Sequence, residues 1–412
     1  ETLGDLYGMH WPYKQHKTSR NQIKLPYHEE LKSAGACFGV VAGYERPMWF
    51  STNKKVPKYE YSYNFQNWYP SVEYETKNTR KNVGLFDLTP FAKFELKGKH
   101  AHLELQRICA ANIKNEKGKT TYTQMLNSDG GIEADLVVVC IDNNHFRIVS
   151  SAAVRVRDKH HILKHLSPKV EFKDVTEDYA CLGLFGPKSR DLITEVAGAY
   201  FKTKDFPFAS GKNITIEGAK IWAQRLSYVG ELGWELYIPI KESKKIYNII
   251  VEIGKKYELC HAGVHAMDTL RMEKGYLHWG HDISPEENQY EAGLNFTINY
   301  KKNIDFIGKS ALNKIKDQIP KKKLVTLSLK ESKPGFPLLL HDEPIYWDKK
   351  IVGRTTSGNY SFNYKKNITF AYIENRIDIF KKDLEIEVEK KRYKVILENK
   401  PLHDPENKVM KN

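Results

Sequence analysis

Three stretches of this chain set polar or charged side chains inside apolar, glycine-punctuated sequence, and chemistry is expected there. In YTQMLNSDGGIEADLVVV the Gly130-Gly131 turn feeds a strand and places Asp135 directly before Leu136 to Val139. A carboxylate at the mouth of a buried strand is costly unless it is paired, hydrogen-bonded or used, so Asp135 is either a strand-end cap or a working group. In RLSYVGELGWELYIP, Tyr228 and Glu235 flank a glycine-containing turn. A carboxylate there can accept the N–H donors of a flat heterocycle bearing amino and lactam groups while an aromatic ring walls it; the alternative is a hairpin with Tyr228 and Trp234 in its core. In AMDTLRMEKGYLHWG, Arg271 sits among apolar neighbours of a helical stretch, able to bind a carboxylate or to neutralise Asp268 or Glu273.

The elements that must hold these groups are legible from periodicity. VEYETKNTRKNVG reads as a helix ending near Gly84, followed by the strand FAKFELKG. HLELQRICAAN is helical by its apolar spacing, LVVVCIDNNHFRIVS is a hairpin turning at Asp142 to Asn144, and KSRDLITEVAG is a helix stopped by Gly198. A Lys-rich link around Lys314 to Lys323 precedes LVTLSLK, PIYWDKKIVGRTTSG, ITFAYIE and LEIEVEKKRYKVILE, which read as the strands of a small all-β tail. The opening seventy or so residues are rich in aromatics and proline but lack periodicity. They read as an irregular connecting segment whose Trp11, Trp49, Phe50 and Trp68 must pack on something larger.

Composition bounds the class. The 412 residues are 41% hydrophobic and 12% aromatic, enough for true cores and against disorder, collagen or coiled coil. No apolar run approaches the roughly 18 residues of a membrane span, and ETLGDLYGMHWPYKQ lacks the layout of a signal peptide. A cytoplasmic location is expected, or the mitochondrial matrix in a eukaryote, with no membrane partner. Five scattered cysteines without a Cys-x-x-Cys spacing suggest neither disulfides nor a metal site. The net charge is +14, and residues 301–412 carry 25 basic against 15 acidic side chains. Such an excess can steer a polyanion, but without Arg-aromatic interleaving it predicts no nucleic-acid partner.

Several motifs fail on inspection. The Gly-Lys-Thr/Ser strings at Gly118 and Gly308 have Ile113 and Asn303 where a phosphate loop needs glycine. No Gly-x-Gly-x-x-Gly fingerprint follows a strand, so no dinucleotide or flavin site is expected in this chain. His161 and His165 share a helix face but lack the zinc-protease glutamate, and they read as a solvated face.

In this order and spacing, the three stretches resemble the folate-binding family of the glycine-cleavage T-protein (aminomethyltransferase). VGLFDLTPFAKF, HWGHDISPEENQYEAGLNF and EPIYWDKKIVGRTTSG extend the resemblance over roughly residues 72–400. LYGMHWPYKQ and GACFGVVAGYERPMWF resemble the junction between the flavin and folate halves of dimethylglycine and sarcosine dehydrogenases, so this chain looks like the folate half; its start on Glu1 fits processing or a piece of a longer chain.

The resemblance implies an α+β, three-lobed fold with a C-terminal β-barrel, around a central hole for tetrahydrofolate. It implies a connecting segment over 1–71, a folate-binding domain over 72–315 and a barrel over 320–412. Asp135 is then the carboxylate near the reactive folate nitrogens, Tyr228 and Glu235 the pterin-contacting pair, and Arg271 the arginine of the family's helix motif. The family often has two acids after the Gly-Gly turn; here Ala134 takes the first position, leaving Asp135 alone. The implied reaction captures an iminium or formaldehyde unit from a methylated amine to give 5,10-methylenetetrahydrofolate, with FAD confined to a missing or separate partner domain. A stand-alone aminomethyltransferase or demethylase and a non-catalytic folate-binding module are the other readings.

Overall fold

The computed structural model describes residues 1–52, 56–376 and 382–412. The aromatic opening is more regular than its composition suggests. After helix α1 (Thr2–Asp5), strand β1 (Ile23–Lys24), helix α2 (His28–Ser33) and strands β2 (Ala36–Val41) and β3 (Tyr44–Phe50) follow, and the strands form a sheet in the order β1-β3-β2. The expected irregular segment therefore holds a hairpin turned at Ala42-Gly43. Every residue of β3 is buried. The carboxyl group of Glu75 clamps this hairpin to the body by accepting the Phe50 N–H at 2.7 Å and the Gly263 N–H at 2.9 Å.

Helix α3 (Tyr69–Lys81) takes Pro70 in its first turn, where the missing N–H costs nothing. It stops at Lys81 rather than near Gly84. Gly84 instead lies inside strand β4 (Val83–Asp87), whose five residues are all buried between β-neighbours, and that burial overrides the helical reading.

Strand β5 (Ala92–Lys97), helix α4 (Ala101–Ile108), strands β6 (Thr120–Leu126), β7 (Ile132–Asp142) and β8 (His145–Ser150), helix α5 (Arg155–His165) and strand β9 (Glu171–Asp174) make the first lobe. Its sheet runs β6-β7-β8-β5-β9, over a core that includes Phe94, Leu105, Val138, Phe146 and Ile162. Strand β10 (Tyr179–Phe185), helix α6 (Ser189–Ala197), strands β11 (Ser210–Ile216), β12 (Ala219–Arg225) and β13 (Gly233–Pro239), helix α7 (Ser243–Gly254) and strand β14 (Leu259–His261) build the second, with sheet order β11-β12-β13-β10-β4-β14.

The failed Gly-Lys-Thr string has a structural task here. Gly118 donates to the Cys140 carbonyl at 2.7 Å and accepts from Gly211 N–H at 2.7 Å, joining the two sheets. Its φ of +83° and the 2.4 Å approach of Gly211 O to any added Cβ both demand glycine.

Helices α8 (Val264–Lys274) and α9 (Lys309–Ile315) lead into strands β15 (Lys322–Leu329), β16 (Pro344–Trp347), β17 (Lys350–Ser361), β18 (Lys366–Glu374), β19 (Leu384–Val388) and β20 (Lys391–Glu398), before helix α10 (Lys408–Lys411). These six strands close into an antiparallel barrel, β15-β18-β17-β16-β19-β20, with Leu327, Ile345, Ile373 and Ile386 in its core. The fold is thus α+β with a C-terminal β-barrel. Several cations of this basic quarter are paired locally, as Lys322 is with Glu287 and Lys366 with Glu398. All five cysteines are free and buried. Among the described residues no helix is long and apolar enough to cross a membrane.

Candidate active site

Asp135 is the fourth residue of β7, inside the strand rather than before it. Strand alternation sends Ala134, Leu136 and Val138 into the first lobe's core and leaves Glu133, Asp135 and Val137 on the other face. Directly across the ladder stands Gln124, whose Nε2 donates to Asp135 Oδ1 at 2.8 Å. The Gln124 carbonyl oxygen is itself taken by Gln289 Nε2 at 2.8 Å and Thr297 Oγ1 at 2.6 Å. This network orients the amide so that its N–H faces the carboxylate.

The Gly-Gly turn makes this bracing possible. A Cβ on Gly131 would stand 2.1 Å from the Pro285 carbonyl oxygen, so only glycine lets the loop carrying Gln289 lie against the hairpin. Ile132 N–H then donates to Glu287 O at 3.0 Å and fixes the contact.

Tyr122 pairs with Val137 and shares the face of Asp135. Tyr122 lies deep in the protein but keeps 38% of its surface exposed. The Asp268 side chain, 37% exposed, is equally deep. Asp135, Tyr228 and Glu235 share the pattern, half-buried by surface but enclosed by protein.

Burial pushes the Asp135 carboxyl up to about 6, against the opposing pull of hydrogen bonding from Gln124 and Tyr122. Such a group changes charge near neutrality, as a base or proton relay must. Glu235 is likewise raised by burial, countered by the Tyr237 hydroxyl, which donates to Oε2 at 2.7 Å. Glu235 Oε1 bonds nothing among the described residues and is not buried, so it remains an acceptor for a ligand. Tyr228, in the turn between β12 and β13, donates its hydroxyl to Leu277 O at 2.9 Å and stacks on Tyr276 with ring centroids 6.2 Å apart. That hydroxyl is engaged, which leaves the ring to act as a wall.

Arg271 is placed differently. Its guanidinium is 2% exposed by side chain and spends every nitrogen on the protein. Nε and Nη2 reach Asp268, Nη1 reaches Asp282 Oδ2 and the Tyr276 carbonyl, and Nη2 also reaches Ser357 Oγ at 2.9 Å. Of the two neutralising partners considered, Asp268 is used, and Glu273 instead pairs with Arg80. Asp282 also accepts from Thr356, Ser357 and the His278 N–H, so this buried pair stitches α8, the following loop and β17 of the barrel together.

Tyr122, Asp135, Tyr228, Asp268 and Arg271 thus lie close enough to act on one another's charge, while Glu235 stands beside Tyr237 and Lys93 on the neighbouring lobe. Tyr122, Gln124, Asp282 and Gln289 went unread in the sequence. For Tyr122 and Gln124 a signal existed: two residues alternating on the strand before the Gly-Gly turn must pair near Asp135. For the others, which come from distant loops, no local signal exists.

The geometry agrees with three comparisons. The GCVT N-terminal domain model matches residues 27–302, and the glycine cleavage T-protein C-terminal barrel domain model matches residues 322–404. The chain is 35% identical over its whole length to 4-methylaminobutanoate oxidase (formaldehyde-forming) of Paenarthrobacter nicotinovorans, covering 50% of that protein. It is 31% identical over 367 residues to mitochondrial dimethylglycine dehydrogenase of Homo sapiens, 88% of this chain and 42% of that one. The chain therefore spans about half the length of these curated relatives. The solved structure of the glycine cleavage system aminomethyltransferase T from Bartonella henselae superposes with a TM-score of 0.79 at 20% identity, covering 93% of this chain and 98% of that one, a likeness of fold. With both of its domain models matched in order over most of its length, the chain belongs to the glycine-cleavage T-protein (aminomethyltransferase) family.

Proposed function

We propose that this chain carries out tetrahydrofolate-dependent one-carbon transfer, capturing an iminium or formaldehyde unit from a methylated amine to give 5,10-methylenetetrahydrofolate. The observation that supports the reading is the juxtaposition of Asp135, Tyr122 and Tyr228, together with a carboxylate oxygen of Glu235 that bonds nothing among the described residues. The donor set fits a reduced pterin: Glu235 Oε1 is a free acceptor for ring N–H groups, and the Tyr228 ring is a flat wall. Tetrahydrofolate, when bound, supplies the nucleophilic nitrogens that accept the one-carbon unit.

The chain's own residues supply position, charge and exclusion of water. Glu235 and Tyr228 orient the ring, which replaces a random encounter by a fixed one. Asp135, held by Gln124, takes the proton released at the attacking nitrogen and offers negative charge to a cationic one-carbon unit. The Arg271–Asp282 pair keeps the barrel closed on α8. Oxidation of the methylated amine is assigned to a separate or attached flavin-dependent dehydrogenase half, since this chain aligns with about half of its oxidase and dehydrogenase relatives.

Calorimetric titration of tetrahydrofolate into the purified chain tests the pocket. Saturable one-to-one binding is expected, weakened in Glu235→Gln, and transfer from formaldehyde above the spontaneous rate is expected only with Asp135 present. Absence of binding heat would overturn the reading. Turnover of a methylated donor by this chain alone would select the stand-alone transferase instead.

A further inference from the structure

Asp135 and Glu235 stand on different sheets, and the proposed transfer needs the two held in a fixed relation. Strand β7 presents Asp135, Val137 and Val139 on one face; Val139 pairs with Arg147 of β8, which pairs in turn with Glu95 of β5. Directly paired residues share a face, so Arg147 lies on the side of the first-lobe sheet that carries Asp135. On the second lobe Cys181 pairs with Tyr237, and alternation puts Tyr179, Cys181, Glu235 and Tyr237 on one face of β10 and β13. These two faces meet: Gln224 of β12, the partner of Glu235, donates its Nε2 to Thr120 Oγ1 at the start of β6.

Arg147 crosses this junction. Its side chain is 4% exposed, and its Nη2 donates to Glu95 Oε1 at 2.8 Å. Nε and Nη1 are buried with no hydrogen-bond partner among the described residues. The guanidinium instead has two rings of the other lobe, its carbon lying 4.5 Å from the centroid of Tyr179 and 5.3 Å from that of Tyr237. A guanidinium is planar and weakly hydrated, so aromatic faces can stand in where acceptors are missing. Tyr237 carries the contact onward, because its hydroxyl donates to Glu235 Oε2 at 2.7 Å and leaves Oε1 unbonded.

We propose that Arg147 is a positioning residue for the carboxylate that accepts the pterin: acting through the Tyr237 ring, it strengthens the hydroxyl's hold on Glu235 Oε2 and so keeps Oε1 free for the ligand. The proposal deepens the folate reading and rests on it. A cation against the face of a phenol draws electron density from the ring and makes its O–H a better donor to a carboxylate. The same contact seats the sheet that carries Asp135 against the strand that carries Glu235, so one side chain sets both acids relative to each other.

The charges around Glu235 agree with this. Burial raises its carboxyl, with the Tyr237 hydroxyl and the Lys93 ammonium opposing. Lys93 spends its ammonium on the Thr89 and Phe91 carbonyls, each at 2.8 Å, and reaches Glu235 by charge alone. Burial and the Glu235 charge raise the Tyr237 phenol well above its ordinary range, with Arg147 opposing, so the phenol keeps its proton as a donor. The Cys181 thiol, opposite Tyr237 on β10, is raised by burial and stays neutral.

Two measurements on the full chain decide the matter. The first needs no ligand: 13C NMR of labelled glutamate follows the Glu235 carboxyl, identified by its loss in Glu235→Gln. Arg147→Met combined with Glu95→Gln removes the cation without leaving the Glu95 charge unbalanced, and Arg147→Lys, which keeps that pair but loses the planar stack, takes its place if the combination does not fold. The Glu235 midpoint is expected to rise by half a unit or more, and the rise to shrink to less than half once Tyr237→Phe is also present. A smaller rise, or one that Tyr237→Phe leaves more than half intact, would overturn the action through the ring. The second is calorimetry with tetrahydrofolate. Affinity at least fivefold below wild type is expected, with no further loss when Glu235→Gln is already present; an unchanged affinity, or losses that add, would overturn the action through Glu235. Absent binding heat in wild type would remove the folate reading, while the glutamate titration would still test the Arg147–Tyr237–Glu235 contact by itself.

Discussion

Gln124 and Asp135 face each other across the β6–β7 ladder, and the amide donates to the carboxylate while its oxygen faces Gln289 and Thr297. The sequence brings the two residues opposite one another through a Gly-Gly turn. The loop from Ser284 to Gln289 then fixes the sense of the hydrogen bond.

Removing this donor is expected to move the pH profile of transfer. In wild type the rate should rise with pH through about 6 as Asp135 ionises. Gln124→Leu removes a group that favours the carboxylate, so the midpoint shifts upward; the orphaned Gln289 and Thr297 groups also cost roughly 1–3 kcal/mol of stability. Asp135→Asn should lower the rate by about 10²–10⁴ with folate affinity nearly kept. A pH-rate series on both variants checks these outcomes.

Glu235 and Tyr228 should act on binding more than on turnover. Glu235→Gln presents an amide where an acceptor is needed and is expected to weaken folate binding by about 1.5–3 kcal/mol, the worth of a hydrogen bond to a charged group. Tyr228→Phe removes only the bond to Leu277 O and keeps the wall, so it should cost less than Tyr228→Ala. Calorimetry across the three variants gives the ranking.

Arg271 should behave as a structural clamp. Arg271→Met leaves Asp282 buried with an unbalanced charge and is expected to cost about 3–5 kcal/mol. Pairing it with Asp282→Asn should recover part of that loss. A double-mutant cycle by urea unfolding measures the coupling, and equal losses in the single and double variants would refute the clamp.

Glu75 gives the stability a pH slope of known sign. Burial raises its carboxyl to about 8, above the ordinary 4.5, against the pull of its two backbone N–H bonds. The folded state then holds a proton that the unfolded chain has lost. This contribution is complete below about 4.5 and declines as pH rises toward 8, by at most about 1.4 kcal/mol per unit. Glu75→Gln should be less stable than wild type at pH 5 and show a flatter profile between pH 5 and 8. Thermal melts at the two pH values give both.

What the sequence determined by itself was local and covalent in origin. The alternation in LVVVCIDNNHFRIVS fixed the β7–β8 hairpin, Gly198 stopped α6, the turn-separated strand patterns after Lys323 encoded the barrel strands, and Asp135, Tyr228 and Glu235 stood out as polar groups in apolar runs. Tertiary structure decided whatever depends on neighbours far along the chain. Burial in a sheet turned Gly84 from a helix end into a strand residue, and packing against α8 turned the aromatic opening into a hairpin. Asp282 and the β17 hydroxyls of Thr356 and Ser357 made Arg271 a clamp. Periodicity records which face of an element is apolar; it carries no record of what that face meets, because the partner is chosen by the whole chain's closure.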